Sequence, residues 1–230
     1  FRPITPVIMT GQNPNPRPNP RAILITGASS GIGEALARGY ARPGRFLALS
    51  GRDVGRLEAV AEACRNFGAE VAADTMNVQD RDDTRRWITG LDAEYGLDLV
   101  IANAGVSAGT GSRGENETQA RDIFDVNLAG VLNTVWPVIA PMRERGQGQI
   151  AIISSVAAFR GLPGAPAYSA SKAAVRAYGE ALRGWLAAAH VVVAPLRIAR
   201  GIQNKVLEAM AMARPVVASP QAAEGIDARD

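Results

Sequence analysis

Three features of the sequence predict an α/β fold built on a doubly wound parallel sheet. Six short apolar runs alternate with amphipathic segments, which is the pattern of strand–helix–strand units. The runs are nearly continuous in Ala, Val, Ile and Leu, as in strands that are buried on both faces. A glycine-rich turn follows the first run, and the 230-residue chain is long enough for one such domain.

Each apolar run has the length of a buried strand. In chain order the predicted strands are AILIT (22–26), RFLALS (45–50), EVAAD (70–74), LDLVIA (97–102), QIAIIS (149–154) and VVVAP (191–195). Helices between parallel strands require right-handed crossovers. Such sheets bind ligands beyond the carboxyl ends of their strands, near the point where the strand order reverses. We therefore expect functional residues just after the first, fourth and fifth strands.

The segments between the strands have helical patterns. Asp53 is suited to cap a helix that begins at Val54, and the last segment is rich in alanine, the strongest helix former. The predicted helices lie near 32–42, 54–66, 80–95, 117–145 and 167–189. Together with the strands they form a single domain over residues 21–190.

The two ends of the chain are expected to differ from this domain. Residues 1–20 contain six prolines, which predict an extended arm. Residues 191–230 form an atypical C-terminal tail that we expect to pack on the same sheet.

Composition argues against several classes of function. The net charge is only +3, and no basic stripe is interleaved with aromatic residues, so nucleic-acid binding is not expected. No unbroken apolar run reaches the roughly 18 residues of a membrane helix, so no membrane association is expected. The chain has one cysteine, Cys64, and one histidine, His190, which predicts no metal site and a cytoplasmic location. Cys64 is expected to be a small buried apolar residue.

The turn after the first strand has the features of a phosphate-binding turn. In AILITGASSGIGEALA, Gly27 permits a tight turn, Gly31 lets the backbone approach a pyrophosphate, and Gly33 lets the helix pack closely on the strand. The helix N-terminus offers free N–H groups to phosphate. A purely structural turn is the alternative, because the spacing differs from the commoner G-x-G-x-x-G. The other predicted cofactor-binding residues of this turn are Ser29, Ser30 and Ile32.

The end of the second strand bears on the choice of cofactor. An acidic residue there would accept hydrogen bonds from a ribose 2′-hydroxyl and favour NAD. Gly51 takes that place, and Arg52 follows it with a guanidinium suited to a 2′-phosphate. The sequence therefore favours NADP, with NAD as the alternative.

Tyr168 and Lys172 stand four residues apart in the alanine-rich segment. This spacing places a phenol and an ammonium on one helical face. The pair is either catalytic or a tyrosine beside a solvated lysine, and the spacing alone does not separate the two interpretations.

Five motifs in order resemble those of the short-chain dehydrogenases/reductases. They are TGASSGIG (26–33), NAG (103–105), NLAG with Asn127, Ser155, and YSASK (168–172), and the resemblance covers residues 21 to about 188. It implies a Rossmann-type domain that transfers a hydride between a nicotinamide and a small carbonyl or secondary alcohol. It also implies a homodimer or homotetramer formed through the helices near 117–145 and 167–189.

The resemblance assigns roles to the motif residues. Tyr168 would exchange a proton with the reacting oxygen. A phenol is protonated at neutral pH, and a positive charge on Lys172 favours the phenolate. Lys172 would also bind the nicotinamide ribose. Ser155 would hydrogen-bond the reacting oxygen, and Asn127 would hold a water that connects Lys172 to solvent.

Other motif residues are assigned to cofactor binding. Asn103, Ala104 and Gly105 would bring the backbone after the fourth strand close to the cofactor. Asn77 and Val78 would lie near the adenine, where the family usually has Asp-Val and an amide can still pair with a purine edge.

Structural alternatives exist for three polar residues of the site. Ser154 and Ser155 could be polar groups at a strand end that bond to the backbone. Asn127 could be an amide bonded to its own helix.

The tail departs from the family pattern. Leu196 and Arg200 stand where the family has a glycine and a threonine. Residues 194–228 instead resemble a fragment of two-domain (GT-B) glycosyltransferases, with Glu208 in the place of their sugar-nucleotide ligand. A join between unrelated segments near 187–191 is one hypothesis, and an ordinary helix and strand at 201–213 and 215–218 is the other.

Three functions follow from these observations. The first is an NADP-preferring oxidoreductase. The second is a nucleotide-binding protein with little turnover because of its replaced C-terminus. The third is an inactive glycosyltransferase-fusion remnant.

Overall fold

The computed structural model of the protein describes residues 20–107, 114–186 and 190–194. The strands are β1 (Ala22–Thr26), β2 (Phe46–Gly51), β3 (Glu70–Thr75), β4 (Leu99–Ala102), β5 (Gln149–Ile153) and β6 (His190–Ala194). The helices are α1 (Gly31–Tyr40), α2 (Val54–Asn66), α3 (Arg81–Tyr95), α4 (Glu117–Phe124), α5 (Gly130–Glu144) and α6 (Pro166–Trp185).

The six strands form one parallel sheet in the order β3-β2-β1-β4-β5-β6. The chain builds outward from β1 to β3 and then returns to place β4 on the other side of β1. Strand order therefore reverses between β1 and β4, and the carboxyl ends of these strands border a crevice. The prediction of a doubly wound parallel sheet is confirmed.

Alternation along the strands divides the core between the two faces of the sheet. Ile23 and Ile25 point to the face covered by α1 and α2. Leu24 and Val100 point to the other face, where they pack with residues of α3, α5 and α6. Cys64 is fully buried on the first of these faces, as expected from the sequence.

Strand β3 corrects the expectation that all strands are buried on both faces. Its burial runs from exposed at Glu70 through half-buried to exposed at Asp74 and Thr75. The strand lies at the sheet edge beside β2 only, and charged ends are typical of edge strands. By contrast, β1, β2 and β4 are buried throughout.

The predicted helix over 117–145 is divided by a π-helical turn at Asp125–Ala129. By length and composition alone, Glu117–Glu144 is apolar enough to cross a membrane, because its average hydropathy is high although no apolar run is unbroken. Half of its most apolar window is buried within the fold, with Val131 and Val135 in the core. This burial is typical of a helix that packs against a sheet.

The C-terminal part of the described chain continues the sheet. Helix α6 ends at Trp185 rather than near residue 189, and β6 then pairs in parallel with β5. The predictions for the proline-rich arm and for residues 195–230 lie outside the described residues.

Candidate active site

The turn between β1 and α1 needs glycine at each of its three predicted positions. Gly27 and Gly31 have φ angles of 67° and 59°, which side chains rarely adopt. A Cβ on Gly27 would lie 2.8 Å from the Ala104 Cα, and one on Gly33 would lie 2.2 Å from the Gly27 carbonyl oxygen. The turn is therefore wrapped tightly against the chain after β4.

Asn103 and Thr26 connect this turn to the end of β4. The Asn103 Nδ2 group donates to the carbonyl oxygens of Thr26 (2.9 Å) and Gly27 (3.1 Å). In return, the Thr26 Oγ1 atom accepts from the backbone N–H groups of Asn103 and Ala104, both at 3.2 Å. Thr26 belongs to the motif TGASSGIG, but sequence reasoning assigned it no role; its signal was a single hydroxyl at the end of an otherwise apolar strand.

A cleft of about 310 Å³ lies at the carboxyl ends of β1, β2 and β4. The predicted cofactor-binding residues that line it are Gly27, Ser29, Ser30, Ile32, Arg52, Asn77, Val78, Asn103, Ala104 and Gly105. The lining residues that were not predicted to bind the cofactor are Ser50, Gly51, Asp53, Arg56, Met76, Val106 and Val126. The remaining predicted residues do not line this cleft, namely Gly31, Gly33, Asn127, Ser155, Tyr168 and Lys172.

The cleft has unsatisfied donors of the kind that a dinucleotide would use. Ser30 precedes α1 without capping it through its side chain, so the helix N-terminus is open to an anion. Ser50, at the end of β2, is 1% exposed, and its hydroxyl has no partner among the described residues. The residues present therefore fit a phosphate-bearing cofactor.

Asp53 caps α2, as predicted. Its carboxylate accepts from the Arg56 backbone N–H (2.9 Å) and from the Arg56 side chain (2.8 Å). These two hydrogen bonds lower the pKa of Asp53, the backbone bond having the larger effect. Arg56 follows Asp53 by three residues, and this spacing is the sequence signal that could have identified the contact. Arg52, by contrast, is exposed at the rim of the cleft.

The loop after β3 is fixed to the helices beyond it. Asn77 exchanges hydrogen bonds with Gln79, whose side chain donates to Asp122 of α4 at 2.8 Å. The Val78 carbonyl accepts from Asn133 of α5 at 2.9 Å. Asn77 is thus placed on the cleft wall by contacts that extend across the fold.

Lys172 is held inside the protein at the end of β5. Its Nζ atom donates to the Ile153 carbonyl at 3.0 Å, and the residue is 5% exposed. Burial lowers the pKa of Lys172 from 10.5 to about 8. The Nζ atom lies 6.0 Å from the centre of the half-buried Tyr168 ring. The interpretation of Lys172 as a solvated surface lysine is therefore wrong.

Gly105 lets the backbone after β4 approach this lysine. A Cβ at Gly105 would lie 3.2 Å from the Asn127 Oδ1 atom and 3.3 Å from the Lys172 Nζ atom. Gly105 also lines the cleft. Hence the Lys172 Nζ atom lies beside a glycine that also lines the cleft.

Asn127 is fully buried in the π-helical turn, a feature often found at functional sites. Its Oδ1 atom accepts from the Val106 N–H (2.8 Å), and its Nδ2 group donates to the Val106 carbonyl (2.9 Å). The Nδ2 group also donates to the Ser171 hydroxyl at 3.1 Å. Since these partners lie outside the helix of Asn127, the alternative of an amide bonded to its own helix is wrong.

The two serines after β5 bond to the backbone and face different neighbours. The Ser154 hydroxyl donates to the Lys172 carbonyl at 2.9 Å, which ties β5 to α6. The Ser155 hydroxyl accepts from the Ala157 N–H at 3.1 Å and begins a short 3₁₀ turn at Val156–Ala158. Helix α6, which carries Tyr168, packs against this turn.

Glu115 is a further residue at this edge that sequence reasoning missed. Its carboxylate accepts from the backbone N–H groups of Ala167 (2.6 Å) and Tyr168 (3.0 Å) in the first turn of α6. Ala165, the residue before α6, has no side-chain cap to satisfy these donors. Because Glu115 lies more than 50 residues away in the chain, no local pattern indicates this contact.

Within residues 20–107, 114–186 and 190–194, no group of three or more His, Cys, Asp or Glu side chains could hold a metal ion.

The doubly wound sheet, the glycine turn and the cleft at the reversal point define a Rossmann-type nucleotide-binding domain. The family described as short chain dehydrogenase matches residues 21–203. The chain therefore belongs to the short-chain dehydrogenase family.

This match corrects the predicted extent of the family resemblance. It continues past residue 188 and past the proposed join at 187–191, and β6 extends the sheet over the same region. The glycosyltransferase-like stretch at 194–228 overlaps the family match up to residue 203, and all of it beyond Ala194 lies outside the described residues.

Known relatives agree with this assignment. An uncharacterized oxidoreductase of Myxococcus xanthus is 42% identical over 164 residues, which are 71% of this chain and 65% of that protein. An alcohol dehydrogenase of the archaeon Thermococcus sibiricus, solved with 5-hydroxy-NADP, is 27% identical with a TM-score of 0.71, covering 86% of this chain and 82% of its own. An NAD⁺-bound xylitol dehydrogenase shares the fold at 23% identity and a TM-score of 0.73, covering 81% of this chain and 74% of its own.

Proposed function

We propose that the protein is an NADP-preferring oxidoreductase that acts on a small carbonyl compound or secondary alcohol. The observation that carries the proposal is the position of the buried Lys172, one helical turn from Tyr168, beside Gly105, which lines the cleft. NADPH, when bound, supplies the hydride. The structure of the Thermococcus sibiricus alcohol dehydrogenase with 5-hydroxy-NADP supports a nicotinamide dinucleotide here.

In the proposed reaction Tyr168 donates a proton to the oxygen of the carbonyl that is reduced. Lys172 stabilises the phenolate that remains, because a buried ammonium acts through a low dielectric. With a pKa of about 8, Lys172 is mostly charged at pH 7. The Ile153 carbonyl takes one of the three donors of Lys172. In this proposal the other donors bind the nicotinamide ribose and the water that Asn127 holds.

Ser155 and Asn127 have supporting roles in this proposal. The Ser155 hydroxyl accepts from the Ala157 N–H, so its own proton is available to the reacting oxygen. Asn127 fixes the loop that carries Val106 and, through Ser171, contacts the turn of α6 that follows Tyr168. These contacts support a role for Asn127 in aligning Tyr168 and Lys172. In this proposal Asn127 also holds a water molecule that connects Lys172 to solvent.

The preference for NADP rests on the end of β2. No side chain at Gly51 is present to accept from a 2′-hydroxyl, and Asp53 is already engaged by Arg56. Arg52 lines the cleft with an exposed guanidinium that suits a 2′-phosphate.

The exposed faces of α5 and α6 support a homodimer. Trp136 and Trp185 are 59% and 53% exposed, and their ring centres are 6.3 Å apart. Exposed aromatic patches of this kind are typical of protein interfaces. Light scattering tests this: the parent should be dimeric or larger, and Trp136→Glu should shift it toward the monomer.

The decisive experiment compares the parent with Tyr168→Phe. Titration with NADPH should show binding by both proteins, because the ring packing is kept. Turnover on a panel of ketones and aldehydes should fall by about 10²–10⁴-fold in the variant. Binding without turnover in the parent would favour a nucleotide-binding protein with an impaired C-terminus, an alternative that Leu196 and Arg200 support from the sequence. Unchanged turnover in the variant would exclude Tyr168 as the proton donor.

A further inference from the structure

Ser29 packs directly against Gly51 in the wall of the cleft. A Cβ built on Gly51 would lie 2.9 Å from the Ser29 Cβ atom and 3.0 Å from its Oγ atom. Two side-chain carbon atoms of different residues do not approach closer than 3.0 Å, so one of the two segments would have to shift. Gly51 itself is not among the glycines with positive φ, so its backbone would accept a side chain if the space were free. The glycine is therefore imposed by its neighbour and not by its own conformation.

Ser29 has little freedom to move away from Gly51. The preceding residue, Ala28, is fully buried, and its N–H donates to the Ser50 carbonyl at 2.8 Å. On the other side of the turn, Gly27 is packed against the backbone of Ala104. Moving Ser29 away would strain the hydrogen bond to β2 or press the turn against the chain after β4. A side chain at position 51 is therefore expected to displace the turn at the α1 N-terminus.

We propose that Ser29 excludes a side chain from position 51, and thereby excludes the acidic residue that would make the pocket accept NAD. An acidic residue at position 51 is what recognises the free 2′-hydroxyl of NAD. While Ser29 is present, an acidic residue at position 51 displaces the phosphate-binding turn. The 2′ group of the cofactor can then be recognised only by Arg52, whose guanidinium suits a 2′-phosphate. The inference deepens the proposed function and depends on it for its cofactor.

The experiment combines substitutions at the two positions and measures binding of NADPH and NADH. Gly51→Asp alone should weaken NADPH at least tenfold without improving NADH, because the turn is displaced. Ser29→Gly with Gly51→Asp should bind NADH roughly tenfold to a hundredfold more tightly than Gly51→Asp alone, the value of one charge-assisted hydrogen bond. Ser29→Ala with Gly51→Asp should show little of this gain, since the Ser29 Cβ atom is the nearest contact. Ser30→Gly with Gly51→Asp is the matched control for added backbone freedom and should show none.

A second measurement reports the contact without any cofactor. Gly51→Ala should lower the urea midpoint of the parent and of Ser29→Ala, and should leave that of Ser29→Gly nearly unchanged. Equal midpoint shifts in the three backgrounds would overturn the steric contact. If Gly51→Asp alone bound NADH as tightly as Ser29→Gly with Gly51→Asp, the role of Ser29 in cofactor specificity would be overturned. A parent that binds neither cofactor would overturn the proposed function and the specificity role with it, and the Gly51→Ala series would still show whether the contact exists.

Discussion

Burial of Lys172 predicts a specific dependence of stability on pH. The pKa of Lys172 is lowered from 10.5 to about 8 because the folded protein desolvates the ammonium. At pH 7 the folded state must keep a charge that the unfolded state holds at no cost. Each pKa unit corresponds to about 1.36 kcal/mol, so the difference of about 2.5 units is worth about 3 kcal/mol.

The sign follows from proton linkage. Between pH 8 and 10.5 the unfolded chain keeps the proton on Lys172 while the folded protein loses it, so the free energy of unfolding rises with pH. The gain in the free energy of unfolding is complete above pH 10.5, and it is lost as the pH falls through about 8. Tyr178 acts in the opposite sense, because burial raises its pKa. A comparison of two proteins that share Tyr178 removes this effect.

Urea unfolding of the parent and of Lys172→Met at pH 7 and pH 10 gives the required comparison. Lys172→Met leaves the Ile153 carbonyl without this donor, but that loss is the same at both pH values. The parent should gain about 2–3 kcal/mol relative to the variant between the two pH values. Parallel pH profiles for the two proteins would refute the reasoning, because they would mean that Lys172 is not desolvated in the folded state.

Three further substitutions test the cofactor pocket and its supports. Arg52→Ala should weaken NADPH binding by about 1.5–3 kcal/mol and leave NADH binding unchanged, as measured by fluorescence titration; equal losses for both cofactors would contradict it. Glu115→Gln should speed hydrogen exchange at the amides of the first turn of α6, since one of the two carboxylate acceptors is lost, and should lower kcat more than it changes KM. Rescue by Glu115→Asp separates a positioning role from general destabilisation, and Glu117→Gln, at an exposed ion pair, is the control. Asn127→Ala should destabilise the protein by about 2–3 kcal/mol, because both polar groups of the Val106 backbone lose their partner. Asn133→Ala, which removes one bond to Val78, should cost less in the same denaturation assay.

Most of the fold could be predicted from local patterns. The strand bounds agree within two residues, because apolar runs of five or six residues identify strands buried in a parallel sheet. Strand β3 shows where the pattern fails: EVAAD has the composition of a strand but does not reveal that only β2 lies beside it. Sheet order is a long-range property, and the exposed edge at Glu70 and Asp74 follows from it.

The site could be predicted only in part, for the same reason. The glycine turn and the Tyr168–Lys172 spacing are local, so the sequence shows them directly. Glu115 contacts Tyr168 across 53 residues, and Ser29 meets Gly51 only because β1 and β2 are neighbours. Such contacts exist only after the sheet has assembled, and no short motif encodes them.

The C-terminus shows how fold and chemistry can depend on different features of one segment. VVVAP extends the sheet because an apolar run that hydrogen-bonds to β5 is sufficient for a further parallel strand. No particular residue is required for that, so β6 forms even if Leu196 and Arg200, which follow it, replace the glycine and the threonine that the family resemblance leads us to expect there. The cofactor turn and Lys172 depend on β1, β4 and β5, which precede the replaced residues. Cofactor binding is therefore expected to be less sensitive to this segment than turnover is.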